Sequence, residues 1–366
     1  LKTIVDNERS ATAAYFRKRS VEKRQLARKA PSLDRAIEVS EARLHNLQNV
    51  SATFPLGALT VVTGVSGAGK STLVRGVVEA SVRRSLRGLR SAAVGCRGLK
   101  GVELVATVRE VDQLPIGRTP RSTPATYVGF WDRIRNIFAS TKESRALGYD
   151  KRRFSFNLAV GRCDACAGQG RNRMEMNFLP DVTVDCETCM GRRFNDETLQ
   201  ISYRGKSISD VLAMSVEEAL DFFSSYPELT RSLTALQDLG LGYLTLGQPS
   251  TTLSGGEAQR VKLAVELVKT AKEGCLYLLD EPTTGLHMQD VERLVEVLKT
   301  LAAAGHAVIV IEHHLELIAG ADWVVDLGPE GGDGGGKLVF QGTPHDLAGA
   351  WRNSLTGRCL REWVRK

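Results

Sequence analysis

Ala58-Leu-Thr-Val-Val-Thr-Gly-Val-Ser-Gly-Ala-Gly-Lys-Ser-Thr72 is the stretch that decides the fold. A short aliphatic and β-branched run stops at Gly64 in a turn of the form GxxxxGK[ST], and a helical pattern follows from Lys70 to Ala80. That order, buried strand, glycine turn, helix, points backbone N–H groups and a helix N-terminus at one place, where a phosphate is stabilised. Gly64, Ser66, Gly67 and Gly69 shape the cradle. Lys70 is placed for the β- and γ-phosphates of a nucleoside triphosphate. Ser71, with Thr72 beside it, is placed for its Mg²⁺.

Two further apolar runs, Cys275-Leu-Tyr-Leu-Leu279 and Ala307-Val-Ile-Val-Ile311, have the length and continuity of central strands covered on both faces. A helical pattern from Gln289 to Ala303 lies between them, so the fold class is α/β. The first run ends in Asp280-Glu281. Asp280 suits a Walker B role on Mg²⁺ through water, and Glu281 suits the base that polarises an attacking water.

Leu253-Ser-Gly-Gly-Glu257 opens another helix, whose N-terminus offers Ser254, Gly255 and Gly256 to an anion. This string resembles the signature of ABC ATPases, and other elements fall in that family's order. Gln113 resembles the Q-loop glutamine, Thr284-Gly-Leu-His287 the D-loop, and His313 the switch histidine that contacts γ-phosphate. The resemblance implies that ATP held by the Walker motifs of one module meets the signature of another. A single module then carries two half-sites, and hydrolysis requires a second module.

Seven cysteines are present, four of them in the pairs Cys163/Cys166 and Cys186/Cys189. CxxC…CxxC at this separation matches a closed, tetrahedral four-cysteine zinc site, with disulfides or an iron–sulfur cluster as the other readings. Gly168, Gly170 and Gly191 are expected to take positive φ and aim N–H groups at the sulfurs. Met174, Met176 and Phe178, between the pairs, are expected to pack the small module. Cys96, Cys275 and Cys359 read as small apolar residues.

The chain has 366 residues and a formal charge of +7, unevenly spread. From Leu114 to Arg162 there are ten basic residues and three acids, and a second basic run covers Tyr15 to Arg35. Such clusters are the footprint of a polyanion, or a solvated basic face and linker. Seven aromatics (Tyr127, Phe130, Trp131, Phe138, Tyr149, Phe154 and Phe156) share the first basic stretch and read mostly as core. No apolar run approaches the about 18–20 residues of a membrane helix, and no signal peptide is evident, so a cytoplasmic location is expected. Ser10-Ala-Thr-Ala-Ala-Tyr-Phe16 resembles Ser354-Leu-Thr-Gly-Arg-Cys-Leu360, and the chain opens on Leu1, as a piece of a longer tandem protein would. The domain reading is a preceding module's tail with a basic linker (1–40) and a first part of the ATP-binding core (41–113). An insertion holding the basic segment, the zinc module and a helical subdomain follows (114–245). A second part of the core (246–345) and a C-terminal tail (346–366) complete it.

An ABC module with a four-cysteine insertion resembles the UvrA family, DNA-damage-recognition ATPases of bacterial nucleotide excision repair. The strings that carry the resemblance include Ile116-Gly-Arg-Thr-Pro-Arg-Ser-Thr-Pro-Ala-Thr126, Arg153-Phe-Ser-Phe-Asn157, Thr252 to Arg260, Leu279 to His287 and Asp326-Leu-Gly-Pro-Glu-Gly-Gly332. They match the second of the family's two ABC modules. The resemblance implies ATP, Mg²⁺ and Zn²⁺ as cofactors, double-stranded DNA as a partner, and a UvrB-like subunit only where the first half is present. Arg118, Arg121, Arg152 and Arg153 are the candidate phosphate contacts. Three rival readings are a UvrA-like paralogue giving resistance to a DNA-binding metabolite, the ATPase subunit of a membrane transporter, and a zinc-stapled structural fragment.

Overall fold

The computed structural model describes residues 26–89, 93–174, 176, 182–269 and 274–365. The repeat at 10–16 and Phe178 lie outside the described residues. The chain forms two compact units, Leu1–Asp112 with Thr270–Lys366, and Gln113–Lys269.

The first unit is built on a six-stranded sheet in the order Lys337–Gly342, Trp323–Gly328, Ala58–Gly64, Ala307–Ile311, Cys275–Asp280, Thr107–Val111. The strands run parallel except for the Lys337–Gly342 edge, which pairs antiparallel. Ala307–Ile311 is buried throughout, and so is Ala58–Thr63, as continuous apolar runs require when both faces are covered. The two expected strands at 275 and 307 are both present, joined by a helix over Met288–Ala303. The helix after the glycine turn is wound π-fashion over Thr72–Glu79 and continues as an α-helix over Ala80–Leu86. Its Leu73, Val74, Val77 and Val78 pack with Val62, Ile309 and Ile311 of the sheet. A smaller antiparallel sheet, Val50–Pro55, Ala36–Ala42 and Gly98–Lys100, joins the same core through Ile37, Val39 and Phe54.

The 346–366 stretch, read from sequence as a tail, is helical in this unit, over Pro344–Gly349 and Leu355–Arg365. The buried Asp326 carboxylate holds it, accepting from Ser354 Oγ at 2.6 Å and Thr356 Oγ1 at 3.0 Å.

The second unit runs on to Lys269, whereas the sequence reading closes the insertion at 245, so the signature helix belongs with it. Its expected helical stretch at 208–239 is three short helices, Ile208–Ala213, Val216–Phe222 and Pro227–Asp238. Capping boxes at Ser207 and Ser215 and a proline in the first turn of the third start them separately. Phe130, Trp131, Phe138, Phe154 and Phe156 are buried, and Phe138 meets Phe154 at a centroid distance of 5.5 Å. Of the seven aromatics only Tyr127 is exposed.

The expectation for Met174 and Met176 is corrected: both are exposed. Met174 belongs to a two-stranded ribbon, Arg171–Met174 with Val182–Asp185, whose second strand is exposed along its whole length. The buried centre of this small module is the four sulfurs themselves.

Candidate nucleotide and metal sites

Parallel strands bring their carboxyl ends to one edge, the usual place for a ligand in an open α/β sheet. Ile311 pairs with Val62 on one side and Asp280 on the other, and Thr63 pairs with Asp326. Gly64, Asp280–Glu281, Glu312–His313 and Asp326 therefore emerge side by side. Gly64 has φ of 130°, and a Cβ on it would lie 2.0 Å from the Leu327 carbonyl oxygen, so only glycine fits. Ser66, Gly67 and Ser71 are exposed and Lys70 is half-buried. Lys70 Nζ donates to the carbonyls of Gly64 and Val65 at 2.9 Å each, folded back over its own loop. Burial lowers its pKa, and the nearby Glu281, Asp280 and Asp326 counter that.

Glu281 has φ of 45°, a left-handed conformation rare for a non-glycine residue and common at functional sites. Its N–H is held by the Ile311 carbonyl at 2.9 Å. His313 is exposed, with Nδ1 4.0 Å from Glu281 Oε1 and 3.6 Å from Glu312 Oε2. The sequence reading passed over Glu312. It is fully buried, and its carboxylate accepts from the Thr283 amide and hydroxyl on one side and from the His313 and His314 amides on the other. One carboxylate thus ties the loop after Asp280–Glu281 to the loop that carries His313.

A glycine-rich tract near the end of the chain braces the phosphate loop from outside. Gly332 N–H donates to Gly67 O at 3.1 Å and Gly336 N–H to Ala68 O at 3.3 Å. Asn46 Nδ2 donates to both Gly67 O at 2.9 Å and Gly332 O at 3.2 Å. The only sequence signal for this is the glycine density at 331–336, which does not name its target.

In the second unit, Ser254 caps the Gly255–Val268 helix in a capping box: Glu257 N–H donates to Ser254 Oγ, and Ser254 N–H to Glu257 Oε2 at 2.7 Å. The hydroxyl acts here as an acceptor, which leaves its proton for an anion. Gln113 lies over the same helix start: a Cβ on Gly255 would sit 3.4 Å from Gln113 Oε1. Tyr243 O–H donates to Glu257 at 2.6 Å; burial, then this bond, push the Tyr243 hydroxyl up to about 12.

The four cysteines Cys163, Cys166, Cys186 and Cys189 are buried with their sulfurs within 4.8 Å of one another. Cys166 and Cys189 are 3.7 Å apart and Cys163 and Cys186 4.0 Å. A tetrahedron of Zn–S bonds of about 2.3 Å has edges of about 3.8 Å, so the donor set fits zinc. Gly168, Gly170 and Gly191 have φ of 78°, 76° and 79°, as expected, and Gly170 N–H donates to Cys166 Sγ at 3.2 Å. The Cys189 backbone N–H pulls the Cys186 thiol down to about 7.

Arg193, also passed over in the sequence, links this module to the start of the signature segment. Its amide carbonyl accepts from Cys163 N–H at 2.9 Å. Its guanidinium donates to Pro120 O at 3.3 Å and Gly247 O at 2.9 Å, and stacks on Phe156. Burial lowers its pKa to about 10. Ser250 adds hydrogen bonds from the same segment to Gly117 and Ser122.

The four candidate DNA arginines fall into different settings. Arg118 is exposed and Arg121 half-buried. Arg152 is exposed but turned onto Asp150 at 2.8 Å. Arg153 is enclosed, donating to Thr198 Oγ1 at 2.9 Å, pairing with Glu197 and stacking 4.4 Å over Tyr149. Its guanidinium is committed within the unit.

A phosphate loop at the head of a parallel sheet, with an LSGGE helix start in a cysteine-bearing second unit, defines an ABC-type P-loop ATPase module. No family model matches the sequence. The chain is 51% identical over 359 residues to the UvrABC system protein A of Oceanobacillus iheyensis, which covers 98% of this chain and 37% of that protein. The counterpart from Bacillus subtilis is 50% identical over 363 residues, 99% of this chain and 38% of that one. The solved structure of UvrA2 from Deinococcus radiodurans superposes with a TM-score of 0.87 at 44% identity, covering 99% of this chain and 43% of that one. Over this stretch the chain belongs to the UvrA family. It spans a little over a third of the length of the curated relatives it matches. Among the described residues no helix is long and apolar enough to cross a membrane.

Proposed function

We propose that the chain is an ATP-hydrolysing, double-stranded-DNA-binding module of damage recognition in nucleotide excision repair, acting in the cytoplasm. The observation that carries this reading is the meeting of the phosphate loop, Asp280, Glu281 and His313 on one sheet edge in a chain about half identical to UvrA proteins.

Gly64, Ser66, Gly67, Gly69, Lys70, Ser71 and Thr72 bind the ATP phosphates, with Lys70 leaving its two carbonyl partners to do so. Ser71 and Asp280 supply hard oxygen donors for Mg²⁺, which when bound neutralises phosphate charge. Glu281 orients the attacking water, His313 takes the role of the switch histidine toward the γ-phosphate, and Gln113 takes that of the Q-loop glutamine. Ser254, Gly255 and Gly256 complete the site of a second module, so turnover requires a pair of modules. The four-cysteine site, loaded with zinc, is a structural crosslink, and Arg193 passes its position to the 247–254 segment. DNA is held through phosphate contacts, with Arg118 and Arg121 the candidates least committed elsewhere, and read through its deformation. Delivery of a UvrB-like subunit belongs to a longer protein carrying a first module.

The test is a duplex-DNA binding isotherm at several salt concentrations, with and without ATP. A steep salt dependence that ATP shifts supports the reading; binding indifferent to both overturns it.

A further inference from the structure

The nucleotide edge contains a cation that the motif reading leaves unassigned. Arg75 stands four residues after Ser71 on the helix that follows the phosphate loop. Its guanidinium forks between two carboxylates: Nε lies 3.0 Å from Glu110 Oε1 and Nη1 3.3 Å from Asp280 Oδ2. The sheet explains why one arginine reaches both. Cys275–Asp280 runs parallel to Thr107–Val111, with Glu110 opposite Leu278. Side chains two apart on a strand share a face, so Glu110 and Asp280 are diagonal neighbours beneath this helix. A planar guanidinium matches such a pair where a lysine would meet only one of the two. All three side chains are partly exposed, at 41%, 31% and 26%, so exchange with an incoming ion is open.

We propose that Arg75 is a positioning residue that sits as a resident counter-ion on the Walker B carboxylate and competes with Mg²⁺ for it. The inference rests on the ATP-site reading. Asp280 presents its charge to Mg²⁺ only as Arg75 yields, with Glu110 as the alternative partner for the released guanidinium. Glu79 and Asp112 also face this cluster, and Arg83 is paired with Glu79 at 2.7 Å. Loss of Arg75 therefore leaves a more acidic pocket that attracts a divalent ion more strongly.

The test is Mg²⁺-dependent binding of a fluorescent ATP analogue to the full chain, read without turnover, for the wild type, Arg75→Met, Arg75→Lys and Glu110→Gln. Mn²⁺ binding followed by electron paramagnetic resonance is a second readout. Arg75→Met should lower the half-saturating Mg²⁺ concentration by about three- to tenfold, the scale of a partly exposed charge pair. Affinity for the analogue in chelator should stay within about twofold, since the phosphate loop is intact. Arg75→Lys should lie between the two. Glu110→Gln, which leaves Arg75 with Asp280 alone, should raise the Mg²⁺ requirement. Unchanged or raised Mg²⁺ demand in Arg75→Met, with the analogue still bound, overturns the inference alone. Failure of the wild type to bind the analogue removes the ATP-site reading and the inference with it.

Discussion

The nucleotide edge and the cysteine module reach order by opposite routes. At the edge, residues from 46 to 336 are brought together around a sheet whose four central strands are buried almost end to end. The functional groups lie on a core that exists without them. In the cysteine module, all four cysteines come from 27 consecutive positions, and their sulfurs are the buried centre. There the site is the core. A ligand should add activity to the first region and structure to the second.

That contrast breaks most easily at the metal. Structural zinc sites contribute on the order of 10 kcal/mol to folding. Chelation, or Cys186→Ser with Cys189→Ser, should therefore unfold the 163–193 module, seen as lost amide-exchange protection there, while protection of the 58–64 and 307–311 strands persists. Equal loss in both regions would refute the contrast. Glu281→Gln comes next: turnover should fall about 10²- to 10³-fold with ATP still bound, and thermal stability should stay unchanged because the side chain is exposed. Lys70→Ala should weaken ATP binding by about 10²-fold, the loss of a charge-assisted phosphate contact, with the fold again intact by circular dichroism. Arg193→Met should cost about 1–3 kcal/mol, since the carbonyls of Pro120 and Gly247 lose a buried charged donor. Its sharper signature is a weaker effect of ATP on DNA affinity. Smallest is Ser354→Ala, about 1–2 kcal/mol, because it removes one of two hydroxyls on the buried Asp326. A lowered melting temperature of the first unit alone checks it.

What was legible in the sequence follows the same division. The phosphate loop, the strand-end acids, the LSGGE helix start and the CxxC pairs are local strings whose spacing is their geometry. Strand burial was legible too, since continuous apolar runs bounded by polar residues have few other uses. Glu312 was hidden because two of its four donors come from Thr283, 29 positions before it, and the other two from His313 and His314. Arg75 was hidden because only the sheet register puts Glu110 and Asp280 on one face. Arg153 misled: a basic residue in a basic stretch looks available, and its commitment to Thr198 across 45 positions is a tertiary fact. Met174 and Met176 misled for the opposite reason, because apolar residues between metal ligands imply packing only where a layer exists to pack against.

The clasp of Asn46 and the 331–336 glycines on the phosphate loop has a consequence for how the chain is made. Gly67 leaves the ribosome 265 positions ahead of Gly332. At synthesis rates of about 5–20 residues per second that is a wait of roughly fifteen to fifty seconds. Throughout that interval the loop is nascent and lacks its outer wall, a window in which chaperones and proteases compete for it.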